Sequence, residues 1–180
     1  MNTKNLVVSA LLIAVSILIP IIFAPFRIIV GPYTATLTAH VPVILAMFIS
    51  PLVAVLVAVV SSIGFLVTST PIVAIRALTH LIFALIGVYM IKNHMNIWLT
   101  LVITGIAHAI AESLVVLIAF KIGAPGVGAK FTLSVLVGVT AAGTFVHHTI
   151  DFLIALLLYK PIRATKLVEL YPVNYSTLKA

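Results

Sequence analysis

Three charged residues stand inside stretches apolar enough to cross a lipid bilayer, and that placement limits what this chain can fold into. They are Arg76, Glu112 and Asp151, and His80, His108 and the pair His147-His148 keep them company. Ionisable groups at membrane depth are costly, so they face a cavity or each other and mark a functional site by default. The surroundings justify speaking of membrane depth: 63% of the residues are hydrophobic, 7% are charged, and the mean hydropathy is +1.36. A water-soluble domain has no means of hiding that much apolar surface, which makes this an integral membrane protein.

Six apolar stretches approach the roughly 20 residues that a spanning helix needs. They cover residues 5–24, 34–49, 52–69, 72–91, 97–120 and 131–159. The expected architecture is an all-α, six-helix transmembrane bundle over 1–180, a single domain with short connections. The second stretch is short, and Pro42 within it predicts a kink. Ile49-Ser50-Pro51 and Ser69-Thr70-Pro71 read as tight turns with Pro placed where a helix starts. The first stretch follows a single Lys and has no small-residue cleavage site, so it reads as a retained helix. With no cysteine, disulfides and thiol chemistry are excluded.

The formal charge of +7 does not point to nucleic acid, because its distribution is a topology signal. Six spans place Lys4, Lys92, Lys160, Arg163, Lys166 and Lys179 on one side, and Arg27, Lys121 and Lys130 on the other. The positive-inside rule makes the first side cytoplasmic, with both termini there. Two longer external loops, 24–33 and 123–130, carry Pro25, Gly31, Pro32, Gly123, Pro125, Gly126 and Gly128, and read either as lids or as plain turns. No internal repeat suggests an inverted-repeat transporter.

The polar residues have an internal geometry. In an antiparallel helical hairpin turning near His94, Arg76 comes level with Glu112 and His80 comes level with His108. Arg76 and His80 are four residues apart, as are His108 and Glu112, so each pair shares a helix face. The next hairpin, turning near Val127, brings His147 level with His108. A layer of His80, His108 and His147 is expected, with Arg76 and Glu112 about 6 Å nearer the outside at 1.5 Å rise per residue. Adjacent helical residues diverge by about 100°, which turns His148 away. Asp151, a turn beyond His147, is placed to bond that ring and fix its tautomer. The competing structural reading is that Arg76 and Glu112 only neutralise one another.

In the first helix, Ala10 and Ala14 form a small-xxx-small pattern beside Ser9 and Ser16. Small residues four apart flatten a face for close helix approach. This face lies away from the polar cluster, so it suits a docking partner. Ala54, Ala58 and Ser61-Ser62 are similar but read as internal packing.

About 180 residues, six helices, termini inside and Ala-xxx-Ala in the first helix together resemble the substrate-binding S components of energy-coupling factor (ECF) transporters. The resemblance covers essentially the whole chain. It implies high-affinity binding of a small vitamin near the outer face, in the membrane of a bacterial cell. It also implies docking through Ala10 and Ala14 onto a transmembrane coupling subunit and two ATPase subunits. Arg76, His80, His108, Glu112 and His147 fall in the family's binding region. The segments Ala39-His40-Val41-Pro42, Ile49-Ser50-Pro51, Arg76-Ala77-Leu78-Thr79-His80 and Val146-His147-His148 look most like the niacin branch. Nicotinate suits them: Arg76 offers a fork to its carboxylate, a His serves the ring nitrogen, and Tyr33, Phe26 or Trp98 supplies stacking, with Trp98 better placed as an interfacial anchor. If Glu112 pairs with Arg76, a ligand carboxylate must compete with it, and a cationic or neutral pyridoxine- or thiamine-like ligand would suit Glu112 and Asp151 better.

The expectation is a transport subunit and not an enzyme, with no cofactor, no metal and no nucleic acid. Two readings from other classes compete. A membrane metalloenzyme would use His108, Glu112, His147, His148 and Asp151 as ligands, yet no His-Glu-xx-His signature occurs. A structural subunit would use the polar layer only to set helix register. No Walker motif is present, which assigns ATP hydrolysis to partner chains.

Overall fold

The computed structural model describes residues 3–30, 33–125, 127 and 131–176. Helix α1 (Thr3–Ile22) runs into a 3-10 turn, Ala24–Phe26, started by Pro25. A small antiparallel hairpin follows, β1 (Ile28–Val30) against β2 (Tyr33–Ala35), with Val30 opposite Tyr33. All of β1 is exposed, whereas Tyr33 and Ala35 of β2 point inward. Then come α2 (Val41–Met47), α3 (Pro51–Thr68), α4 (Pro71–Leu78), α5 (His80–Lys92), α6 (Ile97–Lys121) and α7 (Leu133–Ala164). This is an all-helical, multi-pass membrane protein. Among the described residues, five helical stretches are long and apolar enough to cross, α4 and α5 counting together as Pro71–Lys92.

The helix starts follow local sequence. Ser50, Thr70 and Thr132 each accept a hydrogen bond from the backbone N–H three residues on, at 3.3–3.4 Å. Asn96 Oδ1 accepts from both Trp98 and Leu99. Pro51 and Pro71 sit just inside their helices, where a missing N–H costs nothing. Between α4 and α5, Thr79 Oγ1 donates back to Arg76 O at 2.6 Å, the kind of bond that bends a helix.

The segment 34–49 departs from the expected kinked helix. Only Val41–Met47 is helical, and every residue of it is buried. Ahead of it, Thr38 adopts a left-handed φ of 65°, unusual for a non-glycine residue. Irregular backbone at membrane depth is tolerated when protein satisfies its polar groups. Asp151 of α7 does so here, accepting from Thr38 N–H at 3.1 Å through Oδ1 and from His40 N–H at 3.0 Å through Oδ2.

Contacts at one end of the bundle gather several connections. Glu169 N–H donates to Asn5 Oδ1 at 3.0 Å, Tyr171 N–H to Phe48 O at 2.7 Å, and Asn174 Nδ2 to His94 O at 2.7 Å. The start of α1, the end of α2, the α5–α6 turn and the tail after α7 therefore share that end. The core runs through α2, with Ile44, Met47 and Phe48 against Val53, Val57, Phe83 and Phe152. Helix α1 packs closely on α3: a Cβ at Gly64 would lie 2.7 Å from the Pro20 ring and 2.9 Å from Ile17 O. Ala54, Ala58 and Ser61 are fully buried in α3, whereas Ser62, expected to pack with them, is only half-buried.

Candidate functional site

At the opposite end of the bundle, β2, α4, α6 and α7 converge on a small, tight recess. Arg27, Tyr33, Phe65, Arg76, His80 and Glu112 line it, together with His40 and His147. A larger vestibule adjoins it, sharing Arg27, Thr34, Val73 and Arg76 and bounded by Pro125, Val127 and Phe131 of the α6–α7 connection. Gly31, Pro32, Gly126, Gly128 and Lys130 of the two candidate lid loops lie outside the described residues.

Arg76 and Glu112 pair as helix arithmetic predicts, with Nη2 2.9 Å from Oε2. The pairing is end-on. The same Nη2 also approaches Thr34 O at 3.4 Å, while Nε is buried with no partner. Glu112 has a second anchor in Thr144 Oγ1, which donates to Oε2. Arg27 adds another guanidinium: Nη1 donates to Ser69 Oγ at 2.9 Å, and its Nε and Nη2 are left unpartnered. Among the described residues, two cations thus line the recess against one carboxylate whose charge is already engaged. The balance favours an anionic ligand.

Tyr33 roofs the inner wall. Its ring lies 5.2 Å beneath the Arg76 guanidinium, and its hydroxyl is 3.5 Å from His147 Nδ1. Close approach from α7 requires glycine, since a Cβ at Gly143 would come within 2.7 Å of the Tyr33 ring. Phe26 is 75% exposed and Trp98 sits half-exposed at the other end of α6, so neither stacks here. Buried Phe65 lines the recess instead.

Behind the recess is a packed cluster of imidazoles. The His40 ring centroid lies 4.6 Å from that of His80, 4.7 Å from His108 and 4.4 Å from His147, and His80 lies 4.9 Å from His108. His148 is also inside, contrary to the 100° argument. Its Nδ1 meets His108 Nδ1 at 3.3 Å and its Nε2 meets Thr104 Oγ1 at 3.0 Å. Helix α7 packs against both α6 and the α2–β2 side, so two successive residues can both face protein. Asp151 Oδ2 lies 3.1 Å from His147 Nε2 and 3.0 Å from His40 Nδ1.

His40, Arg27, Phe65 and Thr144 are the site residues that sequence reasoning missed, the last two without any mention. His40 appeared only within a motif, and Arg27 only as a loop charge. A turn-forming run before Pro42 and a cation in a loop rich in Pro and Gly were the signals available. Ala10 and Ala14 lie exposed on the face of α1 opposite buried Ser9 and Ser16, remote from the recess.

The chain is thus a multi-pass helical membrane protein with a cation-lined recess for a small solute at one end of its bundle. No family model matches the chain, and no solved structure does. Among proteins of known function it is similar to the "Niacin transporter NiaX" of Lactococcus lactis subsp. cremoris (strain MG1363), at 38% identity over 163 residues, covering 86% of this chain and 72% of that protein. The chain belongs to that transporter's family, in agreement with the niacin branch it resembles in sequence.

Proposed function

We propose that this protein is the membrane-embedded S component for niacin uptake, binding nicotinate at high affinity from outside and delivering it through an ATP-driven ECF module. The observation that carries the reading is the pair of guanidiniums, Arg27 and Arg76, that line a small aromatic-walled recess and each keep nitrogens with no hydrogen bond. Nicotinate's carboxylate takes Arg76 Nε and the free edge of Arg27, as charge-assisted bonds. Its ring lies between Tyr33 and Phe65. His80 or His147 meets the ring nitrogen, and Glu112 holds Arg76 in place, with His108 behind it. Because Glu112 occupies only Nη2, it need not be displaced, which answers the objection that a second anion would have to compete. The name of the relative, a niacin transporter, supports the same substrate.

The passage 33–48 acts as the sixth crossing. It links the outer hairpin to Phe48 at the end where the N-terminus and the tail meet. Both termini are then cytoplasmic, on the side of Lys4, Lys92, Arg163 and Lys166. Substrate enters by the vestibule under the α6–α7 connection. The loaded protein docks through the exposed Ala10–Ala14 face of α1 onto the coupling subunit, and two ATPases drive release inward.

Calorimetric titration of the purified protein with nicotinate and nicotinamide tests the site. Tight nicotinate binding with much weaker binding of the uncharged amide is expected. Preference for the amide, or for pyridoxine or thiamine, would refute the carboxylate site. For docking, Ala10→Trp is expected to abolish uptake in cells while leaving nicotinate binding in detergent intact. Equal loss of both would mean that α1 is not a separate docking face.

A further inference from the structure

We propose that His40, His80 and His108 form a binding site for a divalent transition-metal ion on the inner wall of the recess. One ring nitrogen from each lies within 4.8 Å of the others, and all three side chains are buried. They come from three elements, the turn before α2, the start of α5 and the middle of α6, so no local sequence motif announces them.

The proton bookkeeping of the cluster points to an electron-pair acceptor. Thr104 Oγ1 donates to Thr100 O at 2.6 Å, so toward His148 it acts as acceptor and His148 carries its proton on Nε2. His148 Nδ1 is then the acceptor for His108 Nδ1–H. That leaves His108 Nε2 as a bare lone pair, buried and without a hydrogen bond, 3.6 Å from Glu112 Oε1. On the other side, His40 Nδ1 lies 3.0 Å from Asp151 Oδ2 without the alignment of a hydrogen bond, so it too is a buried nitrogen with no partner. His80 Nδ1 is also buried and unpartnered. An unsatisfied buried polar atom is costly, and here several gather in one place. Protonation relieves only one ring, because neighbouring imidazolium charges repel. Nicotinate, on the reading above, brings only acceptors and cannot bond to lone pairs. A metal ion bonds to all three.

Imidazole donors select zinc, nickel or cobalt over magnesium or calcium. Metal–nitrogen bonds of about 2.0–2.1 Å require the three nitrogens to close inward modestly, through small ring rotations. Asp151 behind His40 supplies the outer carboxylate that orients a ligating histidine. The alternative set of His40, His147 and Asp151 is weaker, because both Asp151 oxygens already accept backbone N–H groups. Since His40 and His80 also line the recess, the ion keeps an open position toward the solute.

The test uses the full chain, stripped with chelator and titrated with Zn²⁺ by calorimetry and with Co²⁺ by visible absorption. One ion per chain is expected, with X-ray absorption of the zinc form reporting three imidazoles. His80→Ala should lower metal affinity on the order of 100-fold or more. If that variant fails to fold, the wild-type stoichiometry and ligand count decide alone. No metal bound by a wild-type protein that binds nicotinate tightly overturns the metal site and leaves the niacin reading intact. One ion on three imidazoles with no nicotinate response does the reverse.

Discussion

Glu112 and Asp151 are both buried carboxylates set among histidines, and they hold different parts of the molecule. Glu112 holds side chains, bonding Arg76 Nη2 and Thr144 Oγ1, with His108 Nε2 lying unbonded 3.6 Å from its other oxygen. Among the described residues, Asp151 pairs with no Lys or Arg. It holds backbone, accepting from Thr38 and His40 across more than a hundred residues of sequence, with the rings of His40 and His147 alongside. A carboxylate that faces the recess tunes a ligand site, whereas one that fastens an unwound segment is part of the architecture that makes the site exist.

The largest expected effect follows from that contrast. Asp151→Ala strands two backbone N–H groups inside the bundle and frees Thr38 from the bond that holds its left-handed turn. Loss of one side of such a buried charged network costs about 3–5 kcal/mol. Thermal unfolding in detergent should show a large drop, with nicotinate binding lost in parallel. A variant that melts like its parent but fails to bind would place Asp151 with the ligand and erase the distinction.

Arg76→Ala should act in the opposite proportion. Nicotinate affinity is expected to fall by about 1.5–3 kcal/mol, the worth of a bond to a charged group. Binding of the uncharged amide should change far less. Equal losses for the two ligands in calorimetry would make Arg76 a structural partner of Glu112 only.

How much of this was legible in sequence also divides along the same line. The Arg76–Glu112 pair and the His80–His108 neighbours follow from helical periods on either side of a short turn, because α4 through α6 is nearly regular helix. The surroundings of Asp151 do not. Residues 34–40 obey no period, and their partner lies on α7, so neither the shortness of α2 nor the inward His40 could be inferred from spacing. The 100° rule misplaced His148 because it presumes one buried face, and α7 has protein on two sides. Arg27 was counted for topology, which uses the sign of a loop charge and ignores where the side chain reaches.

Gly143→Ala probes the roof of the site without touching charge. The added Cβ would meet the Tyr33 ring at 2.7 Å, and that ring is held from the other side by Arg76 and the hairpin. Overpacking of this kind costs about 1–3 kcal/mol, and the low end is expected because β2 lies at the edge of the bundle. Reduced nicotinate affinity with an unchanged melting temperature would locate the shift in Tyr33. No change in either quantity would show that the ring moves freely and is no fixed wall.

The smallest effect should come from Glu112→Gln, and its sign matters more than its size. Glutamine keeps the shape and an acceptor oxygen for Arg76 Nη2 and Thr144 Oγ1, so the helices stay in register. It removes the one carboxylate opposing Arg27 and Arg76 across the recess. An anionic ligand then meets two guanidiniums with no competing charge, and its affinity should rise, by no more than about 1 kcal/mol because Arg76 Nε is already free in the parent. A loss of tenfold or more would mean that Glu112 touches the ligand directly, as it would with a cationic vitamin. In that case the division between a ligand-tuning Glu112 and an architectural Asp151 would survive, but the charge of the solute would have to be reversed.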